Sequence, residues 1–138
     1  MSAALEGCEE VAEARDLAWV FLGDLRDDHG VPVSDLAAAM VALVVSELVT
    51  NAHKFAPGPV LLTLRLEEGA VEIAVWDTEP RMPVIHSADP QRVGQHGLEL
   101  VMAVSSRFEV HREPVGKRVV AAVVLSDDAI GDMAGSPM

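Results

Sequence analysis

Between Glu9 and Asp28 apolar residues recur with a helical period. Val11, Ala14, Ala18, Phe21 and Leu22 fall on one face, with Leu17 and Leu25 beside them, while Glu, Arg and Asp occupy the other. The spacing predicts a helix that Asp28-His29-Gly30 and Pro32 bring to an end. Ser34 is placed to cap a second helix. Its apolar run, Leu36–Val45, reads as buried, and it continues to about Ala56, where Pro57-Gly58-Pro59 stops it. The period then changes from 3.6 to 2. Val60, Leu62, Leu64 and Leu66 alternate with Leu61, Thr63, Arg65 and Glu67; after Glu68-Gly69, Val71, Ile73 and Val75 alternate with Glu72, Ala74 and Trp76. This predicts an antiparallel hairpin with one face on a core, ending at Asp77. From Thr78 to His96 no period holds, and Pro80, Pro83 and Pro90 punctuate a polar stretch; a loop of that length in a compact domain is functional or disordered. Gly97 opens a short helical pattern through Leu98, Val101, Met102 and Val104. Phe108 to His111 reads as a strand, Glu113-Pro114-Val115-Gly116 as a turn, and Val119 to Leu125, apolar on both faces, as a covered inner strand. The order helix, helix, strand, strand, loop, helix, strand, strand predicts an α+β fold, with a mixed sheet and its helices on one face.

Composition narrows this further. The chain has 138 residues, the length of one domain. Half of it is apolar and it contains no Tyr, so the core is aliphatic. A net charge of −12 argues against a nucleic-acid or anionic-membrane partner, whose affinity comes from Lys and Arg. Cys8 is the only cysteine, so no intrachain disulfide forms. The first ten residues lack a signal-peptide layout and Leu36–Val45 is too short to span a bilayer. The expectation is a cytoplasmic protein with a flexible segment over 1–8, one domain over 9–125 and a disordered acidic tail over 126–138.

Candidate chemistry starts in the second helix. Its buried run suddenly carries Glu47 and Asn51, four residues apart and therefore one turn apart on one face. A carboxylate and a carboxamide stacked in this way offer oxygen ligands to a hard cation such as Mg²⁺, or a base beside a metal; taken alone, the pair is a face reaching solvent. Asp77, at a strand end beside the long loop, is an acceptor for the exocyclic amine of a purine, or a turn aspartate ahead of Thr78-Glu79-Pro80. Gly94-Gln95-His96-Gly97 leads into a helix, where two glycines and helix-start N–H groups suit phosphate. His96 is placed to reach that phosphate, or is an exposed loop histidine. Glu99 in the first turn matches the helix dipole. Gly116-Lys117 is no P-loop, because the upstream glycine and the following Ser or Thr are absent. The five histidines lack zinc-ligand spacing, and no Gly-x-Ser-x-Gly elbow exists.

The ordered set Glu47-x-x-x-Asn51, Asp77, Gly94-x-x-Gly97-Leu98 and Gly116-Lys117 resembles the GHKL ATPases, the group of gyrase-type, chaperone, histidine-kinase and mismatch-repair ATPases. Within it the chain looks most like the small anti-sigma-factor type serine kinases. The resemblance covers about Val11 to Leu125 and implies a two-layer α/β sandwich, the Bergerat ATP-binding fold. It implies ATP and Mg²⁺ as ligands, with Glu47 as general base, Asn51 on Mg²⁺, and Asp77 on the adenine amine. Gly94, Gly97 and the backbone to Leu98 would cradle phosphates under a lid of residues 82–96, with Lys54 and His96 near them. The implied partners are a sigma factor or an anti-sigma antagonist, and the small regulators of this type often dimerise. The chain departs from the pattern in three places. The glycines of Asp-x-Gly-x-Gly are replaced in Asp77-Thr78-Glu79-Pro80-Arg81, Arg118 stands where Thr is usual, and the usual N-terminal strand is expected to be missing.

Two readings follow. One is an ATP-binding regulator that phosphorylates Ser or Thr on a protein partner, which intact Glu47 and Asn51 favour. The other is a nucleotide-binding or protein-interaction adaptor without kinase activity, which the replaced glycines and Arg118 favour.

Overall fold

The computed structural model describes residues 2–5, 10–55, 58–79 and 97–126. In chain order the elements are β1 (Ser2–Leu5), α1 (Glu10–His29), α2 (Asp35–Phe55), β2 (Val60–Glu67), β3 (Ala70–Asp77), α3 (Gly97–Val104), β4 (Arg107–Arg112) and β5 (Lys117–Val124). The strands form one sheet in the order β1-β2-β3-β5-β4. Helices cover its inner face, giving the expected α+β layering.

The helix patterns fold as read. Ala14, Ala18, Leu22 and Leu25 of α1 are buried, with Val11 and Phe21 packed against the core. The α1 end is closed by Val31 N–H returning to Leu25 C=O at 2.9 Å, and Arg26 Nη2 ties the connecting segment down through Val33 O at 2.7 Å. Ser34 caps α2: its Oγ accepts from Ala37 N–H at 3.0 Å, and its carbonyl takes the first helical bond from Ala38. α2 is the centre of the molecule, touching α1, α3 and strands β2, β3 and β5. It is longer than the apolar run that marks it, and by length and composition Asp35–Lys54 is sufficient to cross a membrane; half of that window is buried inside the protein, as expected of a core helix.

The β2–β3 hairpin turns on Glu68 and Gly69, both at positive φ (50° and 79°), the backbone of a type I′ turn. Val60, Leu62 and Leu64 point into the core with Val71, Ile73 and Val75. Leu66, expected to join them, is 38 % exposed, although its cross-strand partner Val71 is buried.

Two expectations are corrected. An N-terminal strand exists: β1 pairs antiparallel with β2, Ser2 opposite Thr63 and Leu5 opposite Val60. Ser2-Ala3-Ala4-Leu5 carries no alternation to read, so this strand is defined by its pairing. The sheet is also antiparallel in every pairing described, not mixed. The crossover from β3 through α3 does lead to a strand parallel to β3, namely β4. β5 then returns as a hairpin and inserts between the two, so no parallel neighbours remain.

The outer face carries a charge network. Glu72, with its side chain 12 % exposed, accepts from Arg107 Nη2 at 2.7 Å and from Arg65 Nη2 at 3.2 Å. Arg107 and Arg65 reach further to Glu109 and Glu67, both at 2.9 Å. The hydrogen bond from Arg107, with the charge of Arg65, holds the Glu72 carboxyl below its ordinary value of 4.5, against the desolvation that opposes it. A folded-state depression adds stability that is fully present above about 4.5 and is lost as pH falls through the lower folded value. The melting temperature is therefore expected to fall as pH drops below about 4.5, and Glu72→Gln to flatten that part of the curve. An acid limb of the same steepness in the variant would remove Glu72 from the account.

Candidate functional site

Glu47 and Asn51 lie on α2 at half-buried positions beside the core residues Leu48 and Ala52. α3 packs across α2 through Leu98 and Val101, both buried. This brings the first residue of α3 against the Glu47 carboxylate. A Cβ added to Gly97 would overlap Glu47 Oε2 and lie 3.3 Å from its Cδ, so a larger residue there would push the carboxylate end aside. The carboxylate thus sits at the start of a helix, where unpaired N–H groups and the dipole favour negative charge. Among the described residues neither Glu47 nor Asn51 is engaged in a side-chain hydrogen bond or ion pair. On the adjoining face of α2, Ser46 Oγ and His53 Nε2 are buried without a partner.

The second cluster forms where β3 ends. Asp77 is in register with Lys117 at the start of β5. Both share the parity of inward residues Val75 and Val119, so both side chains enter the layer between sheet and helices. They are 2 % and 3 % exposed. Lys117 Nζ donates to Asp77 Oδ1 at 3.0 Å and to Glu79 O at 3.1 Å, while Glu79 N–H donates to the same Oδ1 at 2.9 Å. The turn before β5 is clamped to this end of the sheet. Trp76 Nε1 donates to Val115 O at 2.9 Å, and buried Gly116 passes so close to β3 that a Cβ on it would overlap the Asp77 carbonyl.

The structure therefore joins Glu47 to Gly97, with Asn51 one turn along, and sets Asp77 in the same interlayer. The Leu98 side chain belongs to the core, which leaves its backbone at the helix start for a ligand. Lys54 is exposed in the last turn of α2. Gly94 and His96, and the 82–96 lid, lie outside the described residues. Lys117 is the site residue that the chain pattern missed. A lysine two positions ahead of inward Val119 was a legible signal, because a buried lysine needs a paired acid.

The family model of the histidine kinase-like ATPase domain matches residues 8–123. The chain belongs to the histidine kinase-like ATPase family. Among solved structures it is similar to the blue-light activated histidine kinase of Erythrobacter litoralis EL346. The two share 25 % identity with a TM-score of 0.53, over 71 % of this chain and 33 % of that one. The separate histidine kinase domain of the same protein matches at 24 % identity and a TM-score of 0.47, covering 68 % of this chain and 47 % of that one. This chain thus spans about a third of the full kinase it resembles. No curated protein matches it.

Membership of the histidine kinase-like ATPase family suggests ATP as the ligand. The chain's residues fit the phosphate end of such a ligand: a glycine at the α3 start, a carboxylate against it and a carboxamide one turn away. Among the described residues no cluster of three metal-ligating side chains forms, so Mg²⁺ would be held by one or two side chains and the nucleotide's own phosphates. The base end departs from a bare aspartate, because Asp77 Oδ1 is already paired.

Proposed function

We propose that this protein is a cytoplasmic regulatory kinase of the anti-sigma type, which uses Mg-ATP to phosphorylate a Ser or Thr of a protein partner and works as a homodimer. The observation that carries this reading is the Glu47 carboxylate packed on Gly97 at the start of α3. When bound, Mg-ATP supplies the phosphoryl group, and the metal offsets the phosphate charge. Asn51 would hold the metal through its side-chain oxygen. Glu47 orients the incoming hydroxyl and accepts its proton. Gly97 and the backbone of Leu98 present N–H groups toward phosphate. Asp77 accepts from the base. The partner is a sigma factor or its antagonist, a protein surface able to meet a chain of net charge −12.

One observation favours the second reading, an adaptor that binds nucleotide or protein without transfer. Lys117 and the Glu79 N–H already occupy Asp77 Oδ1, which leaves the carboxylate less capacity to accept from a base amine. Titration calorimetry with Mg-ATP separates the two readings when paired with Asn51→Ala. The kinase reading expects saturable heat in the parent. It also expects at least about a tenfold loss of Mg²⁺-dependent affinity in the variant, from removal of one metal ligand. No heat at high micromolar nucleotide eliminates the kinase; equal affinity with and without Mg²⁺ in both proteins removes Asn51 from the metal.

A further inference from the structure

The ion pair at the end of β3 is an unusual partner for a base-reading carboxylate. A lone aspartate in a closed pocket selects purines by the substituent at position 6. It accepts from an amine and is left facing a lone pair when that substituent is oxo, and unpaired buried polar groups are what make such sites selective. Here the carboxylate is not alone. Lys117 Nζ donates to Asp77 Oδ1 at 3.0 Å and to Glu79 O at 3.1 Å, so an ammonium stands beside the carboxylate. An ammonium has three N–H donors, and these two contacts account for two. The pair is buried, at 3 % and 2 % exposure, and faces the interlayer in register, so it is a fixed part of the wall and not a surface lysine that swings away. Gly116, held against the Asp77 carbonyl, fixes the start of the strand that carries Lys117.

We propose that Lys117 is the specificity-determining residue of the base site. By placing an N–H donor beside the Asp77 acceptor, it removes the penalty for a 6-oxo purine and lowers the reward for a 6-amino one. The site then takes purine nucleoside triphosphates of both kinds. This rests on the nucleotide-binding reading above, and extends it from a general ATP site to one with little selection at position 6. Without the ammonium, Asp77 would regain an acceptor that only an amine satisfies.

The test is the ratio of Mg-ATP to Mg-ITP affinity, since the two bases differ at position 6 and the proton on the adjoining nitrogen. The full chain is measured by calorimetry beside Lys117→Met and Lys117→Thr, with folding of each checked by circular dichroism. The parent is expected to bind both nucleotides within about threefold, and a folded variant to shift the ratio toward ATP by about tenfold or more, the discrimination of one regained hydrogen bond. A structural role alone changes both affinities together and leaves the ratio in place. A parent that prefers ATP by tenfold or more overturns the proposal, as does an unchanged ratio in a folded variant. So does loss of both nucleotides in the variants alone, since that makes Lys117 a support of the fold. Binding of neither nucleotide by parent or variants is a different result: it removes the nucleotide-binding reading, and this proposal with it.

Discussion

Glu47→Gln is expected to leave Mg-ATP affinity within about threefold of the parent while lowering phosphoryl transfer to a protein substrate by about 10²- to 10⁴-fold, the usual contribution of a positioned base. The substitution keeps the shape of the side chain, so the contact with Gly97 and the packing of α3 on α2 survive. It removes the capacity to take a proton. Glu47→Ala makes the same change more bluntly and opens a gap against Gly97, which is why the amide is the cleaner variant. Single-turnover transfer from labelled ATP separates chemistry from binding. Unchanged transfer in Glu47→Gln would assign the carboxylate to positioning or to the helix dipole and leave the proton to another group. Equal loss of binding and transfer would make Glu47 part of the nucleotide cradle.

Gly116→Ala is expected to be the most damaging small substitution in the described protein, at about 3–5 kcal/mol. Gly116 has φ of 75°, a conformation that costs a non-glycine residue about 1–2 kcal/mol. The new methyl group would also overlap the Asp77 carbonyl, and Asp77 C and Thr78 Cα stand 2.8 Å from its position. Backbone atoms cannot swing aside as a side-chain end does, so the β4–β5 turn must lift from the end of β3. That movement loosens the buried pair of Asp77 and Lys117, and an uncompensated buried charge is costly. For a domain whose whole stability is on the order of 5–15 kcal/mol, the melting temperature should fall by roughly 10 °C or more. Gly69→Ala is the control. Gly69 has a similar φ of 79°, but nothing lies within 4 Å of the added Cβ, so a loss of only about 1 kcal/mol is expected. Equal losses at both positions, read from urea midpoints, would show that backbone conformation and not the close approach dominates at Gly116.

The fold was legible where the pattern is local. Period 3.6 in α1 and α2 and period 2 in β2 and β3 state which face is buried, and Ala14, Ala18, Leu22, Val60, Leu62 and Ile73 lie on that face. Ser34 and Glu68-Gly69 were readable because a cap and a two-residue turn involve neighbours in the chain. β1 was not, since Ser2-Ala3-Ala4-Leu5 is too short to show a period and becomes a strand by pairing with β2. Lys117 was lost to a boundary. With β5 taken to begin at Val119, two residues late, Lys117 fell between the turn and the strand and its inward parity went unseen. The acid, the amide and the glycine of the site were named from the chain, but their meeting was not: Glu47 and Gly97 touch because α3 crosses α2.

Local order in the chain thus carried the helices, the hairpin, the aliphatic core and the candidate residues, because each depends on neighbours a few positions apart. Sheet order, the β1–β2 and β3–β5 pairings, the contact of Glu47 with Gly97 and the Asp77–Lys117 pair came from folding. Each joins residues some forty or more positions apart, as the 40-residue separation of Asp77 and Lys117 illustrates. Such partners are selected by strand register and helix packing, which no local period encodes.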